Sequence, residues 1–269
     1  MKALRPLLFI VSLISIVGLA CSGGATPPTQ PPPPTQPVVI PTNPPLPTEV
    51  PPTEELPTEA PATEVVTEEP VSQAEEFFTE EFDTPLSGDW DILTVTGSDD
   101  ADPDQVTVEA DNGQLVWDFD SEYVYYYIFY NAFEYEDVKL EVRADNRGRN
   151  NNSISLICRY NADIGWYEFN IANNGLYDIL YAEVENDGDI SYSRVANGGS
   201  NAINQGMDVN EYAITCDDEE LGLFINGDEV ITIPERRYGL RSGQVGVSVS
   251  SFNVLPILIE MDWIRISEP

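Results

Sequence analysis

The sequence predicts an all-β domain, an antiparallel sandwich or barrel, behind a long proline-rich segment. Three observations point there. From about residue 77 onward, apolar residues recur with a period of two rather than 3.6. Glycine-containing turns interrupt that alternation at short intervals, at Asn112-Gly113, Asn173-Asn174-Gly175, Asp187-Gly188 and Asn226-Gly227. No stretch of the domain carries a helical stripe, and short alternating runs between such turns form antiparallel sheets.

The chain opens on Met1-Lys2-Ala3-Leu4-Arg5, two positive charges in five residues, and then runs almost wholly apolar from Leu7 to Ala20. That run is too short to span a hydrocarbon layer of about 30 Å. A basic start, a short apolar stretch and a small residue describe a secretory signal over residues 1–20. Val17-Gly18-Leu19-Ala20-Cys21-Ser22 resembles a bacterial lipobox in its looser form, with Gly18 where leucine is usual. The resemblance implies cleavage before Cys21, a diacylglycerol on its thiol, and a protein exported and held at the cell surface by its membrane anchor. At about 0.8 kcal/mol per buried CH₂, several acyl chains make such an anchor effectively permanent.

Residues 21–76 read as a spacer. Sixteen of the 22 prolines lie between Pro27 and Pro70, and Ser22 to Glu76 contains nine glutamates but no lysine, arginine or aromatic residue. Such a stretch cannot bury enough apolar area to offset its ordering entropy. Proline favours extended polyproline II at about 3.1 Å per residue, and like charges resist collapse.

The domain, residues 77–269, holds every aromatic residue except Phe9. Its strands follow from the turns. Gln105–Glu109 meets Gln114–Trp117 across Asn112-Gly113, a type I′ hairpin signal. Trp166–Ile171 turns through Asn173-Asn174-Gly175 into Tyr177–Tyr181, and Asp187-Gly188 leads on to Ile190–Ser193. Leu221–Ile225 meets Val230–Ile233 across Asn226-Gly227, and Gln244–Val249 and Ile257–Ile266 close the chain. Alternation sends Tyr167, Phe169 and Ile171 into the core from one strand and Tyr177, Ile179 and Tyr181 from the next. The densest aromatic run, Tyr123 to Tyr130, reads as a strand buried on one side and half-covered on the other.

These residues carry a resemblance. Leu156–Tyr160, Gly165–Ile171, Gly175–Ile179, Ile225-Asn226-Gly227, Gly243–Val247, Met261–Ile266 and the opening Phe82–Trp90 resemble the core of concanavalin A-like jelly-roll domains, in the laminin-G-like and 3-keto-disaccharide-hydrolase-like group of bacterial surface proteins. The resemblance implies a two-sheet jelly-roll sandwich over residues 77–268. It implies less about activity, because this fold hosts lectins, glycosidases and adhesion modules.

Jelly-roll lectins bind sugars on a sheet face furnished with aromatic platforms and planar polar groups. Strand alternation sets Arg159, Trp166, Glu168, Asn170 and Asp178 opposite the core-facing set, which then includes Tyr160. Trp166 is expected to stack on a sugar ring and the polar four to bond its hydroxyls; Tyr125, Tyr127 and Phe129 are further platforms. Related glycanases carry Glu-x-Asp-x-x-Glu on one strand. Glu134-Tyr135-Glu136-Asp137-Val138-Lys139-Leu140-Glu141 departs from that spacing and transfers no catalytic residue. Related glycanases also hold a structural calcium with an aspartate of the last strand, matching Asp262. A second acidic loop, Asp100, Asp102 and Asp104, has the oxygen ligands calcium prefers. With Cys21 lipidated, Cys158 and Cys216 remain, and in an oxidising compartment they are expected to bridge.

Charge and composition exclude much else. The chain has no histidine, which removes Ser-His-Asp and Cys-His catalysis and histidine-ligated metals. With 12 basic and 47 acidic residues its formal charge is −35, so nucleic acid is not an expected partner. The expected function is binding of an extracellular, neutral glycan. The alternatives are an adhesion module that meets a surface protein, and a glycoside or 3-keto-disaccharide hydrolase.

Overall fold

The computed structural model describes residues 74–149 and 152–269. The signal, Cys21 and the spacer up to residue 73 lie outside the described residues. The domain is all-β. In chain order its strands are β1 Phe78–Glu80, β2 Trp90–Thr96, β3 Val106–Asp111, β4 Gln114–Phe119, β5 Val124–Tyr135, β6 Val138–Asn146, β7 Asn152–Asn161, β8 Gly165–Ala172, β9 Leu176–Val184, β10 Ile190–Gly199, β11 Val209–Asp217, β12 Glu220–Ile225, β13 Asp228–Pro234, β14 Gly243–Ser251 and β15 Ile257–Ser267. One 3₁₀ turn, Pro103–Gln105, precedes β3.

Two antiparallel sheets pack face to face. The first runs β13-β12-β11-β6-β15-β4-β3, with β1 paired to β15; the second runs β10-β9-β8-β7-β14-β5-β2. The hairpins fall where the turns put them. Asp111 faces Gln114 across Asn112-Gly113 and Ile225 faces Asp228 across Asn226-Gly227. Both residues of each pair have positive φ, as a type I′ turn requires.

The core between the sheets is built by alternation. Trp117, Phe119, Leu140, Val142, Ile214, Leu223 and Ile264 enter it from the first sheet, and Ile128, Leu156, Tyr167, Phe169, Ile179 and Val247 from the second. Cys158 on β7 and Cys216 on β11 form a disulfide that ties one sheet to the other through this core, closing a loop of 58 residues.

The outer faces of the two sheets differ, and the difference positions the site. Outside the first sheet, β6 presents Lys139, Glu141 and Arg143, which pair with each other's neighbours: Lys139 with Glu141 at 2.9 Å, Arg143 with Asp262, and Arg265 with Glu141 at 3.7 Å. This is a solvated face. The second sheet is covered on its outer face as well. β7 is buried over eight successive residues, and Tyr127, Phe129, Ile157, Trp166 and Ala182 form a second apolar cluster there, separate from the core. A strand buried on both faces needs side chains above it, and here they come from the aromatic strand β5 and from β8.

The chain enters the domain at one end of β5. Tyr130 and Tyr135 donate their hydroxyls to the backbone oxygens of Glu75 and Glu76 at 2.8 and 2.7 Å, and Phe78 packs on Tyr130.

Candidate functional site on the outer face of the second sheet

The outer face of the second sheet carries a cavity of about 390 Å³. Tyr125 and Tyr127 of β5, Glu168 and Asn170 of β8, Tyr192 of β10 and Phe252 beyond β14 form its walls. Alternation explains the strand contributions: Tyr125 and Tyr127 point outward because Val124, Tyr126 and Ile128 point to the core, and Glu168 and Asn170 because Tyr167, Phe169 and Ile171 do. Phe252 meets Tyr125 edge-on, with centroids 6.5 Å apart. Gly97 leaves room for that wall, since a Cβ there would lie 2.8 Å from the Tyr125 ring.

Glu168 is the chemical centre. It is only 2% exposed. Its carboxyl accepts from Ser155 Oγ at 2.8 Å, Trp166 Nε1 at 3.1 Å and Tyr127 Oη at 3.2 Å. Tyr127 Oη is in turn 3.0 Å from Tyr192 Oη. Burial raises the Glu168 pKa, and the hydrogen bonds from Trp166, Ser155, Tyr127 and Asn170 work against that rise. The phenols respond reciprocally. Burial first, then the charge of Glu168, raises the pKa of Tyr125, Tyr127 and Tyr192. Asn170 sits beside this group and donates to Ser153 and Ser155 at 2.9 and 3.0 Å.

The residues expected on this face fare differently. Glu168, Asn170 and Asp178 do share it, but Asp178 is held at 2.6 Å by Arg194 of β10. Trp166 faces the same way yet is 1% exposed, packed edge-on against Tyr127 and Tyr192. It is the floor of the aromatic layer and cannot stack on a ligand. Arg159 is not on this face at all. A β-bulge lies between Cys158 and Asn161, where Arg159 takes φ +55°, and the extra residue reverses the alternation. Arg159 therefore turns to the end of the sandwich and donates to the carbonyls of Leu240, Glu136 and Asp218 at 3.0, 3.1 and 2.8 Å. Tyr160, expected in the core, takes the outer face instead and stacks on Phe129 at 3.7 Å. Tyr125, Tyr192 and Phe252 become the accessible aromatics, with Tyr192 43% exposed. The alternation Ile190-Ser191-Tyr192 marks Tyr192 as an outward residue; no local signal marks Phe252, which arrives from a loop.

The acids considered for calcium do not gather. Asp262 meets the Arg143 guanidinium and, at 2.6 Å, the Gln114 amide, so a cation already answers it. Asp102 caps the 3₁₀ turn, accepting from the Asp104 backbone at 3.1 Å and the Gln105 amide at 2.7 Å. Among the described residues no three histidine, cysteine or acidic side chains stand together within reach of one metal ion.

The glycanase motif reads differently once the strands are in place. Glu141 lies on the solvated face of the other sheet, paired with Lys139. The glycanase spacing recurs instead on β8 and its turn, as Glu168-Phe169-Asn170-Ile171-Ala172-Asn173, with asparagine at the second and third acidic positions. Asn173 is buried and bonded to Asn152.

Solved structures share this architecture. A β-1,3-glucanase from Mycobacterium marinum is similar over 72% of this chain and 100% of its own, at 13% identity and a TM-score of 0.50. A mixed-linkage glucan GH16 protein from Bacteroides ovatus, in complex with a G4G4G3G product, covers 71% and 99% at 11% identity and a TM-score of 0.52. A structure described as a native glycosidic hydrolase covers 73% and 99% at 13% identity and 0.51. The domain thus has the concanavalin A-like jelly-roll fold of the GH16 glucanases. No protein-family model and no curated protein matches the chain in sequence.

Proposed function

We propose that this chain is an exported, lipid-anchored surface protein whose sandwich binds an extracellular glycan on the outer face of the second sheet, without cleaving it. The observation that carries the reading is the cavity itself: accessible aromatic walls, one buried carboxylate and one planar amide, in the size range of small-ligand sites. The likeness to glucan-acting proteins supports the ligand class. With ten basic and 38 acidic residues from Phe77 onward, a formal charge of −28, the domain repels acidic polysaccharides, so the glycan carries no acidic groups.

Hydrolysis by two carboxylates is disfavoured by the residues present. The glycosidase arrangement needs a pair about 5–5.5 Å apart for retention or about 6.5–9.5 Å for inversion. β8 offers Glu168 followed by asparagines. A second reading, glycoside hydrolysis, rests on Asp178, which faces Asn170 across β8 and β9 and so lies diagonal to Glu168, whose raised pKa suits a proton donor. Its Arg194 partner ties Asp178 up.

Cleavage before Cys21 and acylation of its thiol place the domain outside the cell, and the acidic proline-rich spacer lifts it from the membrane. The chain enters near Tyr130 and Tyr135, while the cavity lies by Tyr125.

The test is a glycan array on the full chain, with reducing-end release measured on every glycan bound. Binding lost in Tyr192→Ala, with no release, is the expected result. Release that disappears in both Glu168→Gln and Asp178→Asn establishes the hydrolase instead, and no binding at all rejects the glycan reading.

A further inference from the structure

The cavity's lining has a sign. Its only carboxyl group is that of Glu168, and no lysine or arginine is among the lining residues. Arg194 is the cation near this face, and Asp178 already answers it at 2.6 Å. Three phenols, Tyr125, Tyr127 and Tyr192, and the ring of Phe252 complete the walls. A carboxylate among phenols, with no basic residue in the lining, favours a positive charge: the carboxylate attracts it directly and the phenol oxygens can accept from it.

Glu168 is held away from water, at 2% exposure. Its carboxyl accepts from Ser155, Trp166 and Tyr127, and these donors are all neutral. Neutral donors of this kind offset part of the desolvation. A cation in the cavity offsets that desolvation directly, and in a site removed from water the attraction is less screened than at the surface.

We infer that the glycan bound here carries free amines, and that one ammonium sits among Tyr125, Tyr127 and Tyr192 against Glu168. This rests on the glycan reading above and narrows it from a glycan without acidic groups to an amino sugar that is not acetylated. Acetylation removes the charge and leaves the sugar ring, so the acetylated and free forms differ in the feature that the cavity is built to select. The acidic domain adds a long-range attraction for a polycationic chain, and this part fades with salt.

Isothermal titration of the full chain with three oligosaccharides of equal length separates the alternatives: one of glucosamine, one of N-acetylglucosamine, one of glucose. The expected result is a preference of about tenfold or more for the free amine, the scale of one partly desolvated charge contact. The preference persists in 0.5 M salt and vanishes in Glu168→Gln. Tyr192→Leu, at a half-exposed position outside both apolar clusters, gives an independent check and lowers affinity for the free amine most. Equal affinity for all three sugars overturns the amine preference while the glycan reading stands. No binding of any sugar overturns both. Binding of tetramethylammonium or of a trimethyl-lysine peptide, with no sugar bound, shows a cation cage that serves a protein partner and overturns the amino-sugar assignment. A preference unchanged in Glu168→Gln also overturns it.

Discussion

Replacing Glu168 with glutamine changes how stability depends on pH, in a direction set by the burial of this one side chain. The carboxyl is enclosed by Trp166, Tyr127 and Ser155, and burial raises its pKa above the ordinary carboxylate value. The folded domain therefore holds the Glu168 proton more tightly than the unfolded chain does. Stability from Glu168 is fully present below about pH 4.3, the ordinary glutamate value, and is lost as pH rises through the folded-state pKa. Each unit separating the two values is worth about 1.4 kcal/mol. Glutamine keeps the shape and an acceptor oxygen but has no charge, so Glu168→Gln gains on wild type as pH rises above about 4.3 and levels off once pH has passed the folded-state pKa of Glu168. A fixed offset arises where the new amide N–H meets the donor Trp166 Nε1; it shifts the curve without changing its slope. Urea unfolding followed by tryptophan fluorescence at half-unit steps of pH measures the difference, with m held constant. The other 46 acidic residues are common to both proteins, so they largely cancel. A difference that stays constant from pH 4 to 8, or grows as pH falls, refutes the reasoning.

Three further expectations follow from packing and charge. Trp166→Ala removes a fully buried ring and costs about 3–5 kcal/mol by chemical denaturation, whereas Tyr192→Ala costs about 1 kcal/mol or less; equal losses would contradict the layering of the two. Reduction of Cys158–Cys216 frees a loop of 58 residues and lowers stability by about 4 kcal/mol, a fall of roughly 8–16 °C in Tm, and an unchanged Tm on reduction counts against the bridge. Chelation leaves Tm unchanged, and Asp262→Asn costs under about 1 kcal/mol through its half-exposed pair with Arg143; a calcium-dependent Tm that Asp262→Asn abolishes would show that the site does fit the ion.

How much of this was legible in the sequence depended on whether a local rule governed the residue. Asn112-Gly113 and Asn226-Gly227 marked their hairpins because only residues that tolerate positive φ fit a type I′ turn. Tyr167, Phe169 and Ile171 marked the core because alternation holds along an unbroken strand. Arg159 and Tyr160 were exchanged because a bulge inserts one residue, and nothing in Cys158-Arg159-Tyr160-Asn161 announces it. Trp166 was placed on the correct face but at the wrong depth. Strand parity says which way a side chain points, not what covers it, and Tyr127 and Tyr192 come from strands 39 residues before and 26 after. The same holds for Phe252, which reaches the cavity from a loop. Asp262 faced solvent as alternation required, but its Arg143 partner lies on β6, far away in sequence.

The outer face of the second sheet, around Glu168, is the proposed ligand site. Amide chemical-shift mapping of the ¹⁵N-labelled protein during titration with a glucosamine oligosaccharide tests it most directly. The expected shifts are confined to Gly97, Tyr125, Glu168, Asn170, Leu180, Tyr192 and Phe252, with a resolved shift of the Trp166 indole N–H that donates to Glu168. Shifts centred on Glu141, Arg143 and Asp262 of the opposite sheet, or none with any sugar at millimolar concentration, would contradict it.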